Sequence, residues 1–62
     1  MTLKTEPNLP EHDAFYARLM AAHDGLSTDE SLALNARLVL LLANHIGDMA
    51  VLEEAIATAT QN

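Results

Sequence analysis

Residues 34–48 read LNARLVLLLANHIGD, and residues 38–43 form an unbroken apolar run of six. Set at ~100° per residue around a helix axis, this segment and its flanks do not make one apolar stripe. Glu30, Arg37 and Asn44 gather in a narrow polar strip. Leu34, Leu38, Leu41 and Leu42 fill one flank, and Leu32, Ala36, Val39, Leu40 and Ala43 fill another. Apolar positions cover well over half the circumference, which is the pattern of a helix buried on most sides. The whole chain is only 62 residues long, so the material available to bury it is scarce.

A chain of this length makes one domain and buries only about 60% of the surface its unfolded form exposes. Domains this small are ordinarily reinforced by disulfides, a metal or an oligomer interface. There is no cysteine, which excludes disulfides and thiolate metal sites and fits a reducing, cytoplasmic setting. Nine acidic residues stand against three basic ones, Lys4, Arg18 and Arg37, for a formal charge of −6. Three cations are too few to neutralise a run of phosphates, so neither nucleic acid nor an anionic membrane is an expected partner. The N-terminal MTLKTEPNLP lacks an apolar segment of signal-peptide length, and a run of six falls far short of the roughly 18 residues of a membrane span.

Half of the residues are apolar, but only Phe15 and Tyr16 are aromatic. Alanine and leucine dominate, and no stretch alternates with a period of two, so the expected class is all-α. Pro7 and Pro10 disfavour helix at Glu6 and Leu9, leaving residues 1–9 as an extended arm. A first helix is expected over residues 10–24, with Pro10 in its first turn, Glu11 and Asp13 against the helix dipole, and Gly25 as its stop. On it Phe15, Tyr16, Leu19, Met20 and Ala22 share a face. Ser27 with Glu30 is a capping-box signature that opens a second helix over residues 28–46, ended by Gly47. Asp48 caps a third over residues 49–60, with Val51, Leu52, Ala55, Ile56 and Ala59 on one side and Glu53, Glu54 and Thr58 on the other. Short connections make these helices antiparallel neighbours in a bundle of residues 10–62.

The first and third helices are rich in alanine and short of bulk. A tight monomer and a surface shared between chains both remain open for the middle helix, and the shared surface is the expectation. A leucine-rich strip left wet marks association, and a two-fold homodimer is its commonest form. The residues expected in that interface are Leu34, Leu38, Leu41 and Leu42, with Asn35 and His45 as polar groups that could set register.

Reactive groups are sparse. Ser27 is explained as a cap, Glu53-Glu54 and Asp29-Glu30 diverge on exposed turns, and no nucleophile stands with a base. An enzyme and a bound cofactor are therefore not expected. The histidines are His12, His23 and His45. His12 and His23 are about 16 Å apart along one helix, too far to share a metal ion. The alternative to pure association is a small ligand- or metal-binding protein that uses His45 with His12 or His23 and a carboxylate such as Asp24 or Asp48. A third is a regulatory protein whose acidic face, with Asp48, Glu53 and Glu54, meets a basic partner.

The run GLSTDESLALNARLVLLLANHIGDMAVLEEAI, preceded by DAFYARLMAAHDGLS, resembles a family of short bacterial proteins known as domain of unknown function 2783. The likeness runs from Asp13 to about Ala57 and is most specific over residues 34–48. It implies a small helical protein, mostly of proteobacteria, with no assigned activity, cofactor or catalytic residue. An association of such genes with flavin-dependent oxidoreductases of aromatic breakdown is a hint about partners, and an accessory subunit of a larger protein is a role that such a self-associating module could take.

Overall fold

Pro10 sits in a turn before the first helix rather than inside it. The His12 N–H donates to the Leu9 carbonyl at 3.2 Å, so Pro10 takes the second position of a turn, where its fixed φ is favourable. The computed structural model describes residues 2–61, and among these three helices occur and no strand. They are α1, His12–His23; α2, Thr28–Ile46; and α3, Met49–Ala59. Met1 of the predicted arm and Asn62 at the C-terminus lie outside the described residues; residues 2–9 hold no regular element.

Gly25 acts differently from the expected helix cap. Asp24 leaves α1 with φ −62° and ψ 130°, Gly25 follows at φ +76°, and the Leu26 N–H donates to the His23 carbonyl at 3.2 Å. That is a type II turn, which requires positive φ at its third residue and hence glycine. Gly47 does occupy the left-handed position after α2, with φ 64° and its N–H donating to the Ala43 carbonyl at 2.9 Å.

The caps of α2 and α3 are made as the sequence predicts. Ser27 Oγ accepts from the Glu30 N–H at 3.2 Å, and Glu30 Oε1 accepts from the Ser27 N–H at 2.9 Å. Asp48 Oδ1 accepts from the N–H groups of Ala50 and Val51 at 3.0 and 3.4 Å. By contrast Glu11, which precedes α1, makes no side-chain cap. Thr60 closes α3 instead of extending it, and its hydroxyl donates to the Ala57 carbonyl at 3.0 Å.

Gly47 and Asp48 alone join α2 to α3, and these two helices are packed neighbours. A side-chain pair ties α1 to α2. His23 Nδ1–H donates to the Leu19 carbonyl one turn back at 2.7 Å, and Nε2 lies 3.0 Å from Asn35 Oδ1. Which of the two side chains donates across this contact is set by the ring tautomer and the orientation of the Asn35 amide. Either way the end of α1 is fixed against the second turn of α2.

Three outcomes test these local devices. Gly47→Ala is destabilising by about 1 kcal/mol in urea melts. The added methyl meets only the Asn44 carbonyl at an ordinary 3.7 Å, so the cost is that of the backbone alone. A double-mutant cycle over His23→Ala and Asn35→Ala returns a coupling of about 0.5–1.5 kcal/mol, and strict additivity would show that the pair does not form in solution. The third concerns acid. The backbone N–H of Ser27, and then its hydroxyl, hold Glu30 below its ordinary carboxylate value of 4.5. A carboxylate depressed by folding contributes stability that is whole above the unfolded value and is lost as pH falls through the lower folded value. Glu30→Gln should therefore flatten part of the loss of stability seen below pH 4.5 in an acid titration followed by circular dichroism.

Candidate association surface

The interior of the chain is almost empty of side chains. Val51 is 4% exposed and is the one buried hydrophobic residue among those described. Leu34 and Leu38 on α2, with Ser31 beside them, are half-buried, as are Leu19, Leu52 and Ala55. The remaining large apolar side chains of α2 are open to solvent: Leu32, Val39, Leu40 and Leu41 are each more than 60% exposed, and Leu42 is 49% exposed.

The total accessible surface is 5403 Å². A compact monomer of 6.7 kDa has about 3,900 Å² by the usual mass scaling, so the excess is about 1,500 Å². The Cα radius of gyration, 13.2 Å, likewise exceeds the roughly 10.6 Å of a compact chain of this length. The extended arm supplies part of both differences. The rest comes from helices that meet along too little of their length.

The exposed apolar groups are not scattered. Val39, Leu42, Ala43 and Ile46 of α2 and Met49, Leu52, Ala55, Ile56 and Ala59 of α3 line one open groove of about 460 Å³. Spacing explains why both helices contribute. Leu32, Ala36, Val39, Ala43 and Ile46 recur at steps of four, three, four and three, and Met49, Leu52, Ile56 and Ala59 at three, four and three. Alternating steps of this kind average 3.5 residues and hold a stripe along one side of a helix, as in seams between helices. No charged or hydrogen-bonding side chain lines the groove. Other shallow depressions differ in this respect: one around Leu40 and Leu41 includes Arg37 and Asn44, and one around Phe15 includes Glu11 and Arg18.

Of the residues expected in an interface, Leu42 lies in the groove, Leu41 faces away beside Arg37, and Leu34 and Leu38 are partly covered within the chain. Asn35 is engaged with His23, and His45 is exposed at the end of α2. Val39, Met49 and Ile56 were outside the expected set. The 4-3 spacing within each helix is the sequence signal that marks this stripe.

The histidines stay separate in role. His12 is exposed with Nδ1 3.1 Å from Asp13 Oδ1, an adjacent carboxylate that is itself fully exposed. Both ring nitrogens of His23 are already in hydrogen bonds. Among the described residues no group of three or more His, Cys, Asp or Glu side chains is placed to hold a metal ion. Nor is any described helix long and apolar enough to cross a membrane.

No curated protein and no solved structure matches the chain. A family model described as "Protein of unknown function (DUF2783)" matches residues 3–61, nearly the full length. The chain therefore belongs to the DUF2783 family of proteins of unknown function, as its central segment led one to expect.

Proposed function

We propose that this protein is a non-enzymatic helical module that acts through protein–protein association, with its own copy as the first partner. The observation that carries the reading is the mismatch between one buried apolar side chain and an accessible surface about 1,500 Å² larger than a compact monomer has. Interfaces of standard size remove about 800 Å² from each partner, and obligate homodimers remove more. The excess, part of which belongs to the extended arm, is comparable with these areas. A homodimer would complete an antiparallel bundle in which each α2 gains the neighbours its own chain does not supply. Burying a leucine contributes roughly 1.5–3 kcal/mol, so a few such residues in each copy are comparable with the whole stability of a small domain.

The absence of polar groups from the groove speaks against a small-molecule site. Ligand pockets set a few convergent polar groups among apolar ones to fix orientation, and this groove has none. It speaks equally against a basic partner seated there, since no carboxylate lines it.

Light scattering of the purified, untagged chain should give about twice its 6.7 kDa mass. The melting temperature should rise with protein concentration, because each tenfold increase adds about 1.4 kcal/mol to the unfolding free energy of a dimer. A chain that keeps its helices at the mass of one copy, with a melting temperature independent of concentration, removes self-association. It would leave the reading as an accessory subunit of a larger protein.

A further inference from the structure

We propose that the groove between α2 and α3 is the two-fold seam of the homodimer, and that its occupant is the same α2–α3 face of a second copy. This rests on the reading of the protein as self-associating and adds where and how the copies meet. Three observations select this face and this occupant.

The first is chemistry. Val39, Ala43 and Ile46 on one side and Met49, Leu52 and Ile56 on the other offer no donor, acceptor or charge, so whatever covers them presents an apolar face of similar length. The chain carries such a face itself. The second is shape. Within the groove the small residues Ala43, Ala55 and Ala59 stand among the larger Val39, Ile46, Leu52 and Ile56. A large side chain from one copy needs a small residue opposite it, and a surface that holds both kinds can supply each to its own copy. A two-fold axis makes the contact reciprocal, so the same patch serves on both sides. The third is electrostatics. Each chain carries a formal charge of −6, and two such chains approach closely only where carboxylates are absent. The groove is such a place, whereas the depression around Phe15 contains Glu11; the one around Leu40 and Leu41 also lacks carboxylates but holds Arg37 and Asn44, polar groups that an apolar occupant would leave unpaired.

Charge substitution locates the seam. Val39 is 63% exposed, Ile56 64% and Leu40 70%, so none of the three is part of a core within the chain. Val39→Glu and Ile56→Glu should each reduce the scattering mass from that of two copies to that of one. Leu40→Glu, about 100° away around α2, should leave it at two. Loss of the dimer on Leu40→Glu with retention on Val39→Glu and Ile56→Glu would overturn this seam while leaving self-association intact. A wild-type chain of single mass overturns both.

Should a glutamate variant lose its helices by circular dichroism, thiol protection decides instead. The chain has no cysteine, so Val39→Cys and Leu40→Cys each place one reporter thiol. Val39→Cys should react with a thiol reagent more slowly than Leu40→Cys, and its protection should fade on dilution to concentrations at which the dimer dissociates. Equal rates at every concentration would overturn the seam.

Discussion

Short helices do not persist in water without an apolar surface to lie on. Below about 12–15 residues an isolated helix is marginal even for good helix formers, and α1 has 12 residues and α3 has 11. Every other feature of this molecule is conditioned by how little such surface the chain provides for itself. Val51 is sheltered near the start of α3, just after the two-residue connection, and Leu34, Leu38, Leu52 and Ala55 are half covered. The other branched side chains of α2 point outward because two short, alanine-rich helices have neither the length nor the bulk to reach around a helix of 19 residues.

The helix boundaries were legible because they are set by local chemistry that needs no knowledge of packing. Ser27 with Glu30, Asp48 before an apolar turn, and Gly47 at the left-handed position each act within a few residues of themselves. The bounds of α2 follow directly from that chemistry. Where a boundary drifted, at Pro10 and at Thr60, the competing structure was equally local: a proline turn that precedes the helix and a threonine hydroxyl bonded to a carbonyl behind it.

What the sequence did not disclose is relational. His23 and Asn35 were each visible as polar residues within apolar helices, but their meeting depends on how the type II turn at Gly25 redirects the chain. Helical periodicity ranks the faces of α2 without saying which of them α3 takes. The bulkiest flank, with Leu34 and Leu38, was the natural expectation for a seam. In the folded chain Leu34 and Leu38 of that flank are half covered while Leu41 and Leu42 stay open, and the stripe through Val39 is also open beside Met49 and Ile56. Bulk indicates where burial is most favourable; only the fold determines whose burial it is.

The acidic balance fits the same reasoning. An apolar face open to solvent invites indefinite association, and a contact between unlike patches would propagate into filaments. A two-fold contact between identical patches closes after two copies. In the proposed dimer the total formal charge would be twice the −6 of one chain, and the uncharged groove would be removed from solvent. Such a particle would present Glu53, Glu54 and the exposed acidic residues of α1 and α2 to any third copy. Repulsion of this kind supports solubility and a limited oligomer without contributing to the fold. On this reading, charge outside and hydrocarbon within the seam have separate tasks. The apolar stripe would bring two chains together, and the carboxylates would disfavour a third.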